Sequence, residues 1–381
     1  MNFGGMKVLM IATDRNLFVP GSAVAERTKE YGNLVEELHL VVLADSAHGL
    51  KDFQLAPNIW IYSTNANFKF LRPFAAARLG KKIVFEKKFV RGRGVITTQD
   101  PFECGWAGLK VKRKWRLPLE VQLHTDPFSP HFNGFLNIIR KRLAKKVLSK
   151  ADKVRVVSHA LQTKITPFTR AAISVLPIYV DKEKIENAPI SFDVHTRYPW
   201  RFILLAVSRL TEEKNLPLAF KILSLVRAQF PDTGLLVVGS GVEERKLKAT
   251  VKKFKLDGAV AFVGWQNDLG PYYKTANLFL QTSFFEGYGL SLVEAGLSGL
   301  PVVTTSVGLA CELEHGKDAY IFPIKHPELF AEGIMDLIEH NAKRENLKLN
   351  LKKVLDTKLI SKDNYLSQMK TSWEETATKI K

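Results

Sequence analysis

The sequence predicts an α/β protein built from two doubly wound, mostly parallel sheets. Two observations predict this fold. Short apolar runs alternate with longer amphipathic segments along the 381-residue chain, and residues 186–199 interrupt this alternation once. Strands that alternate with helices favour parallel sheets covered by helices. A chain of this length is sufficient for two ordinary domains, each with its own core.

The first half of the chain supplies the strands and helices of the first predicted sheet. Two amphipathic stretches, 23–32 and 135–149, are typical of helices that cover such a sheet. Residues 186–199, with two prolines and a polar composition, are interpreted as a linker. The predicted strands are 8–12, 38–43, 59–62, 95–98, 120–124 and 154–157.

The second half repeats the pattern, so we divide the chain into a domain of residues 1–185, a domain of residues 200–358 and a terminal helical segment of residues 359–381. Open parallel sheets bind ligands beyond the carboxyl ends of their strands. Two such sheets that face each other would place the site in the cleft between them. The predicted strands are 202–207, 234–238, 260–263, 278–281 and 302–304, and the predicted helices are 216–230, 243–254, 290–298, 327–340 and 360–381.

Composition excludes several classes of protein. No run approaches the roughly 18 apolar residues that a membrane-spanning helix needs. The first residues lead directly into a strand-like run and lack the features of a signal peptide. Cys104 and Cys311 are the two cysteines, so neither a disulfide framework nor a cysteine-rich zinc site is expected. We therefore expect a cytoplasmic protein, with peripheral contact to the inner face of the cytoplasmic membrane as a further expectation.

Positive charge is concentrated in one quarter of the chain. Residues 65–155 contain 22 Lys or Arg and six Asp or Glu, which accounts for nearly all of the net charge of +18. Such a field attracts an anionic membrane surface or a polyanion. A merely solvated basic face is the alternative. Nucleic acid is not expected as a partner, because no zinc-finger or RNA-recognition motif accompanies the charge.

The stretch Phe285-Glu286-Gly287-Tyr288-Gly289-Leu290-Ser291-Leu292-Val293-Glu294 follows a predicted strand and opens a predicted helix. A glycine-bearing turn at a helix start presents free backbone N–H groups and the positive end of the helix dipole to an anion such as a diphosphate. Glu294, in the helix, is placed to accept ribose hydroxyls. Glu286 is placed to face a reacting sugar. The alternative is a glycine turn with two surface acids.

Two basic residues follow the first strand of the same domain. Arg209 and Lys214 bracket the loop that leads from strand 202–207 into a helix. Two cations there can clamp a diphosphate and stabilise the charge that develops on a leaving group. As isolated loop residues they would be plain surface charges, but both they and the Glu286 stretch follow strands of one sheet.

The first domain offers a histidine and two acids at strand ends. His124 ends strand 120–124, where it can orient a sugar or move a proton, with Asp126 close behind it. Asp100 ends the preceding strand. A structural histidine is the alternative interpretation of His124. The turn at Gly21, between the first strand and a helix, is a further weak candidate for contact with an anion.

Two other motifs are rejected. Gly239-Ser240-Gly241 resembles the start of a dinucleotide fingerprint, but Glu244 stands where its third glycine would be. No grouping of His, Cys and Asp has the spacing of metal ligands, and the phosphate-loop consensus is missing. The sequence therefore predicts no metal site and disfavours a nicotinamide-dependent oxidoreductase.

Together these motifs resemble glycosyltransferase family 4, whose members are retaining enzymes with the GT-B fold. The resemblance implies two Rossmann-like domains that face each other across a cleft, with a C-terminal helix that returns to the N-terminal domain. One position departs from the family, since Gly21 stands alone where members often carry two glycines. The resemblance is carried by 206–215, 237–241, 263–265, the pair Glu286 and Glu294, 299–303 with Gly308, and the tail 372–374.

The resemblance also implies roles for individual residues. Arg209 and Lys214 would bind the diphosphate, Glu294 the ribose, and His124 the sugar near its anomeric carbon. Glu286 would lie over the donor sugar, near the backbone of 287–290. The remaining implied contacts with the donor are Ser208 and Gly21 near the phosphates, and Gly241, Gly264 and Trp265 near the nucleotide and its base.

The implied reaction moves a hexosyl unit from a UDP- or GDP-sugar to a glycan or lipid-linked acceptor hydroxyl, in the synthesis of cell-envelope polysaccharide or glycolipid. The nucleotide diphosphate can itself accept the proton of the acceptor, so neither a metal nor a further cofactor is expected. Asp100, His124 and Asp126 are assigned to the acceptor side. A non-catalytic module that binds a nucleotide sugar or a glycan on the same fold is the alternative.

Overall fold

The computed structural model describes residues 5–130, 132 and 134–379. Residues 1–4, which belong to the first predicted domain, and residues 380–381 of the last predicted helix lie outside the described residues. The chain divides into two compact units. Unit 1 contains the chain up to Ile178 together with the segment from Ser361 onward, and unit 2 runs from Tyr179 to Ile360.

Unit 1 alternates strands with helices as far as its eighth strand, except that β2, β3 and β4 follow one another without an α-helix between them. Its first part contains β1 (Lys7–Ala12), α1 (Ala23–Gly32), β2 (Glu37–Val42), β3 (Phe53–Ala56), β4 (Ile59–Ser63) and α2 (Arg72–Glu86). Its second part contains β5 (Gly94–Thr98), α3 (Glu103–Trp115), β6 (Leu119–Leu123), α4 (Phe135–Leu148), β7 (Lys153–Val156), α5 (His159–Ile165) and β8 (Ala172–Val175).

The eight strands of unit 1 form one sheet in the order β3-β4-β2-β1-β5-β6-β7-β8. All neighbours are parallel except β3 and β4. Residues of β6 alternate between the two helical layers. Leu119 lies against Gly108 of α3, whereas Glu120 accepts a hydrogen bond from Ser372 of the C-terminal segment. Helices therefore cover both faces, which explains why β6 is fully buried.

Unit 2 contains the remaining elements except the last helix. Its first part contains α6 (Lys182–Glu186), β9 (Phe202–Val207), α7 (Leu216–Arg227), β10 (Thr233–Val238), α8 (Glu244–Lys253), β11 (Val260–Gly264) and α9 (Gly270–Thr275). Its second part contains β12 (Leu278–Gln281), α10 (Leu290–Leu297), β13 (Val302–Thr305), β14 (Tyr320–Phe322), α11 (Pro327–Glu339) and α12 (Asn341–Lys358).

The six strands of unit 2 are all parallel, in the order β11-β10-β9-β12-β13-β14. The chain moves outward from β9 to β10 and β11, then returns to the other side of β9 for β12 and β13. A topological switch point therefore lies between β9 and β12. In open α/β sheets the crevice beyond the carboxyl ends of the strands at such a point is the usual ligand site.

The last helix, α13 (Lys362–Ala377), packs in unit 1. Trp373 is fully buried and meets the ring of Tyr31 edge-on, with ring centroids 6.3 Å apart. The hydroxyl groups of Tyr31 and Tyr365 lie 3.1 Å apart. Lys153 Nζ and Glu375 Oε2, 2.6 Å apart, add an ion pair between β7 and the helix. The terminal segment is thus an integral part of the first unit.

Several elements differ from the sequence predictions. The observed bounds match the prediction for 23–32, 202–207 and 278–281 and lie within three residues of it for the other predicted elements up to 327–340. The prediction omitted α2, α3, α5, α6, α9, α12, β3, β8 and β14. Within the predicted linker the structure has the end of α6 and a short 3-10 helix at Val194–Thr196. No helix in the described part of the chain is long and apolar enough to cross a bilayer.

Candidate functional site

The loops that follow β9 and β12 lie side by side at the switch point of unit 2. Thr282 Oγ1 donates to the carbonyl oxygens of Lys214 and Asn215 at 3.2 and 3.1 Å, and the N–H of Phe284 donates to the carbonyl of Glu213 at 2.8 Å. These bonds fix two segments that are about 70 residues apart in the sequence. The two charged motifs that the sequence singled out are therefore held in one place.

Lys214 and Glu286 form an ion pair at the centre of this site. Lys214 Nζ and Glu286 Oε1 lie 2.7 Å apart, and their side chains are 13% and 12% exposed. The same carboxylate oxygen accepts hydrogen bonds from Ser283 Oγ at 2.7 Å and Gln281 Nε2 at 3.1 Å. Charged groups that are largely shielded from water need such partners to offset the loss of hydration. The carboxylate is consequently fixed in one orientation, while the ammonium group keeps donors for a second anion.

Two buried polar atoms beside this ion pair have no hydrogen-bond partner among the described residues. They are Ser208 Oγ, which follows β9, and Gln281 Oε1, at the end of β12. A small cavity is lined by both residues together with Lys214, Glu286 and Ser291. The cavity measures about 10 Å³, which is room for about one water molecule. Because buried polar groups are normally satisfied, the two unsatisfied atoms mark this cluster as a candidate contact for a water molecule or a polar ligand group.

Arg209 extends from the same loop but is not part of the buried cluster. Its side chain is 69% exposed, and its guanidinium lies 2.9 Å from Glu213 Oε1. Thr211 Oγ1 donates to the same oxygen at 2.7 Å. The structure therefore brings Lys214 to Glu286 and leaves Arg209 at the solvent-facing edge, paired with a residue four positions along the chain. An exposed ion pair of this kind is weak and readily exchanged for another anion.

The turn before α10 positions backbone groups. Gly289 has φ +92°, a conformation that favours glycine, and serves as the N-terminal cap. Gly287 precedes it on the same turn. The side chain of Tyr288 is buried, and burial raises its pKa to about 12. Its carbonyl accepts from the N–H of Leu309 at 2.7 Å. The side chain of Tyr288 is thus structural. The contact that this turn can make with an anion comes from the backbone N–H groups at the start of α10.

Glu294 lies one turn into α10 and accepts a hydrogen bond from the hydroxyl of Tyr273 at 2.9 Å. Burial raises the pKa of Glu294, and the hydrogen bond from Tyr273 opposes that rise. Tyr273 itself is buried, which raises its pKa well above the ordinary value. Tyr273 therefore acts as a fixed donor that orients the carboxylate.

The loops after β10 and β11 complete the rim of unit 2. A Cβ on Gly241 would lie 2.3 Å from the carbonyl oxygen of Leu210, so only glycine allows this approach of the two loops. The N–H of Gly239 donates to the carbonyl of Gly264 at 2.8 Å. Trp265 is 69% exposed, and its indole N–H donates to Asn267 Oδ1 at 3.1 Å. An exposed indole on this rim is free to stack on a planar ligand.

In unit 1, His124 follows the carboxyl end of β6. Its Nε2 lies 3.4 Å from Gln122 Oε1. Desolvation by the surrounding protein and the nearby cations Arg155 and Arg27 lower the pKa of His124 to about 4, although the residue as a whole is exposed. The imidazole is therefore neutral at neutral pH and can donate or accept one hydrogen bond.

The other candidates in unit 1 have local structural contacts. Asp100 Oδ1 accepts from the backbone N–H groups of Phe102 and Cys104 at 2.7 and 3.2 Å, and burial raises the pKa of Asp100. Asp126 Oδ1 accepts from the N–H of Phe128 at 2.8 Å, and its Oδ2 lies 3.1 Å from Lys164 Nζ. Gly21 has φ +72° and is exposed just before α1. Both carboxylates thus stabilise turns beside the sheet edge.

Sequence reasoning missed the residues that hold the site residues in place. Gln281, Ser283 and Tyr273 contact the two glutamates, and Arg155 lies near His124 and Glu120. Gln281 and Ser283 flank the recognised stretch, so their proximity was a usable signal. Tyr273 was not recognisable, because only the fold brings α9 to α10. Among residues 5–130, 132 and 134–379, no group of three His, Cys, Asp or Glu side chains could hold a metal ion.

Two family models match the chain, one in each half. The model described as Glycosyltransferase Family 4 matches residues 33–184, and the model described as Glycosyl transferases group 1 matches residues 188–354. The second match includes Lys214, Glu286 and Glu294.

Curated relatives and solved structures agree with these matches. Poly(glycerol-phosphate) alpha-glucosyltransferase of Bacillus subtilis is 29% identical over 168 residues, which are 44% of this chain and 25% of that protein. Alpha-monoglucosyldiacylglycerol synthase of Acholeplasma laidlawii is 23% identical over 249 residues, 58% of this chain and 62% of that protein. The chain spans half or less of the Haemophilus influenzae, B. subtilis and Streptococcus gordonii relatives.

The structure of Anabaena Alr3699/HepE in complex with UDP and glucose superposes with a TM-score of 0.77 and 20% identity, over 97% of this chain and 100% of that one. Sucrose-phosphate synthase from Thermosynechococcus elongatus superposes with a TM-score of 0.76 and 17% identity, over 97% and 98%. At this level of identity the likeness establishes the fold. The predicted GT-B type of α/β fold, with two parallel-sheet domains, is confirmed.

Proposed function

Because this chain belongs to the glycosyltransferases whose family models match both of its units, we propose that it is a retaining enzyme that transfers a hexosyl unit. The donor is a UDP- or GDP-linked sugar, and the acceptor is a hydroxyl of a glycan or of a lipid-linked acceptor. Relatives named as a poly(glycerol-phosphate) alpha-glucosyltransferase and as a synthase of alpha-monoglucosyldiacylglycerol support a role in the synthesis of cell-envelope polymers or glycolipids.

The observation that carries the proposal is the Lys214–Glu286 ion pair at the switch point of unit 2. It stands beside two buried polar atoms without partners and close to the start of α10. A cation, a fixed carboxylate and a helix N-terminus form an arrangement that suits a sugar attached to a diphosphate. UDP bound to the structurally similar HepE supports a uridine nucleotide as the first donor to test.

In the proposed reaction, Lys214 and the start of α10 stabilise the negative charge that grows on the departing diphosphate. Arg209 leaves Glu213 and contributes a second cation. Glu286 lies beside the donor sugar as it becomes oxocarbenium-like. Glu294 accepts hydrogen bonds from the ribose, while Trp265 and Gly264 contact the base. The acceptor hydroxyl attacks from the face that the nucleotide leaves and passes its proton to the diphosphate, so the anomeric configuration is retained.

The neutral imidazole of His124 is proposed to donate a hydrogen bond to a hydroxyl group near the anomeric carbon. Asp100 and Asp126 are proposed to shape the acceptor side through the turns that they stabilise. The scheme uses no metal and no further cofactor. The basic surface of unit 1 is proposed to contact an anionic membrane.

The test begins with thermal unfolding of the full chain in the presence of UDP-glucose, UDP-N-acetylglucosamine and GDP-mannose. The true donor should raise the unfolding temperature, since a ligand that binds only the folded state stabilises it. The same donor should release its nucleoside diphosphate, slowly in water and faster with an acceptor. Retention requires that the product keep the anomeric configuration of the donor, which NMR measures directly.

A non-catalytic binding module is the alternative. It predicts that a nucleotide sugar raises the unfolding temperature but that nucleoside diphosphate is released no faster than in buffer. That outcome, found with every acceptor tried, would replace the proposed transferase. An inverted product would leave the transferase and overturn the retaining mechanism.

A further inference from the structure

The helices on one face of unit 1 expose an unusual number of large apolar side chains. Two places are prominent. Phe70, which is 69% exposed, lies in the short 3-10 helix Lys69–Leu71 that leads into α2, and Phe135, which is 78% exposed, is the first residue of α4. Exposed apolar side chains are ordinary when scattered, but a concentration of them indicates an interaction surface. The exposed large apolar residues of this region are Phe68, Phe70, Leu71, Phe74, Phe85, Val90, Phe135, Leu136, Ile138 and Ile139.

The same helices carry a dense set of cations. Helices α2, α3 and α4 contain 13 Lys or Arg. In the described part of the chain only four of them, namely Arg72, Lys82, Lys112 and Arg140, form an ion pair with a carboxylate. Cations that lack carboxylate partners attract external anions.

Apolar and basic groups meet at Trp106 on α3. The ring of Phe74 packs edge-on against Trp106 with centroids 4.7 Å apart, and Lys110 Nζ lies 4.9 Å from the centroid of the same indole. Aromatic contacts of this kind tie α2 to α3. The surface formed by α2, α3 and α4, hereafter the basic apolar face, is thus continuous at its centre.

A groove of about 620 Å³ opens on this face. Trp106, Leu109 and Leu117 form its apolar part, and eight Lys or Arg side chains surround it. Its single carboxylate, Asp152, already pairs with Lys112. A second groove of about 390 Å³ shares Trp106 and Lys110 with it. An apolar floor with a cationic rim fits an amphiphilic anion.

The position of the face relates it to the candidate acceptor side. In a parallel sheet, helices begin at the carboxyl edge, where His124 follows β6. The exposed apolar residues at the starts of α2 and α4 lie at this end of unit 1. The Trp106 contacts lie in the first turn of α3. A bilayer bound at these helix starts would be close to the edge of the sheet that carries His124. The groove extends to the opposite edge, because Leu117 and Asp152, which line it, precede β6 and β7.

We propose that the basic apolar face binds the surface of an anionic phospholipid bilayer. The phenylalanines at the starts of α2 and α4 enter the boundary between headgroups and acyl chains. Lys110, Arg113 and Lys146 contact lipid phosphates, one of which occupies the groove beside Trp106. Charge complementarity selects an anionic partner, and the exposed phenylalanines select a bilayer over a soluble polyanion, which would leave them in water.

The test is co-sedimentation of the full chain with vesicles of phosphatidylcholine alone or mixed with phosphatidylglycerol. We expect binding to the anionic vesicles, weaker binding at high salt and little binding to neutral vesicles. Arg113→Glu with Lys146→Glu should weaken binding at least about tenfold, because each cation at an anionic surface contributes substantially. Phe70→Ser with Phe135→Ser should also weaken it about tenfold.

Matched controls come from exposed residues of unit 2. Lys252→Glu with Lys253→Glu gives the same change in net charge, and Val242→Ser with Leu349→Ser removes comparably exposed apolar groups. Both controls should bind as the unaltered chain does. The thermal unfolding of every variant should match that of the unaltered chain, because all the changed side chains are exposed.

Equal binding to neutral and anionic vesicles, or equal losses in test and control pairs, would overturn the proposal. Weaker vesicle binding in the charge pair alone, with the phenylalanine pair unaffected, would also overturn the proposal. The face would then recognise negative charge without inserting into the bilayer, as a site for a soluble polyanion would. The assay contains neither donor nor acceptor, so its result is independent of the proposed transfer reaction.

Discussion

At the scale of single residues, the candidate site depends on charges that are held by neighbours rather than on charges alone. Glu286 accepts three hydrogen bonds through one oxygen, and Glu294 is fixed by Tyr273. Arg209, in contrast, is exposed and weakly held. The site therefore combines a hydrogen-bonded, largely buried centre with an exposed cation at its edge, and substitutions at these positions should have different effects.

Replacement of Lys214 tests this largely buried centre. Lys214→Ala removes the cation proposed to stabilise the leaving diphosphate, so kcat should fall at least about 100-fold. Glu286→Ala should abolish turnover as well. Steady-state kinetics with the identified donor measures both effects. Lys246→Ala, which removes an exposed lysine of unit 2 paired with Glu243, is the matched control and should leave kcat unchanged. Transfer by Lys214→Ala at a rate near that of the unaltered enzyme would refute the site assignment.

Replacement of Tyr273 tests the orientation of Glu294. The hydrogen bond from Tyr273 lowers the pKa of Glu294 against the effect of burial, so Tyr273→Phe should raise that pKa further. A protonated Glu294 is a poorer acceptor for ribose hydroxyls. The KM for the donor should therefore rise in this variant, and more at about pH 6 than at about pH 8, because the extra protonation appears as the pH falls.

The pH profile of KM is the decisive measurement for Tyr273→Phe. A purely structural role would raise KM equally at both pH values. Tyr272→Phe is the matched control, since Tyr272 is equally buried but packs against Phe192. An unchanged KM at the lower pH in Tyr273→Phe would show that the hydroxyl does not tune Glu294.

At the scale of elements, the fold shows which parts of the chain local pattern can predict. Strands such as β9 and β12 are buried on both faces and appear as uninterrupted apolar runs, so their bounds were predictable. Helix α3 was not predictable from local pattern, because its residues Gly105 and Gly108 resemble helix breakers. A Cβ on either glycine would lie 2.7 Å from a neighbouring side chain, so close packing on α4 and β5 overrides helix propensity.

The candidate site was likewise predictable only where the signal lies in the local sequence. Glu286 and Lys214 were recognisable because each follows a strand, and their assignment to one sheet predicted proximity. Their direct contact depends on β9 and β12 being neighbours, which the order of strands along the chain does not dictate. Tyr273 and the exposed phenylalanines of the basic apolar face carry no local signal, since burial and exposure are properties of the folded units.

Helix α13 offers a test of how one element stabilises a unit. Trp373→Ala would leave a cavity against Tyr31, and the loss of a large buried aromatic side chain costs about 3–5 kcal/mol. The free energy of unfolding of unit 1 should fall by that amount, and the midpoint of its unfolding should shift to a lower denaturant concentration. Lys370→Ala, at an exposed position of the same helix, is the control and should change the free energy of unfolding by less than about 0.5 kcal/mol. A small effect of Trp373→Ala would mean that α13 contributes little to unit 1.

At the scale of the whole molecule, the chain consists of two units that each bury their own core, although one unit is discontinuous in sequence. Unit 2 is a single segment whose core is formed by its sheet together with α7, α8, α11 and α12. Unit 1 needs both its N-terminal segment and α13. The Lys214–Glu286 site lies within unit 2, and the basic apolar face lies within unit 1. The proposed donor site and the proposed membrane contact therefore belong to separate units.

This separation predicts different behaviour for two fragments. Residues 179–360 produced alone should unfold cooperatively and should be stabilised by UDP, because the whole Lys214–Glu286 site and its supporting residues belong to this segment. A chain that ends at residue 360 lacks α13, so its unit 1 should unfold at a lower temperature while its UDP-dependent stabilisation persists. Calorimetry with and without UDP resolves the two transitions. Loss of the UDP effect in the 179–360 fragment, despite a cooperative transition, would show that residues of unit 1 are required for nucleotide binding.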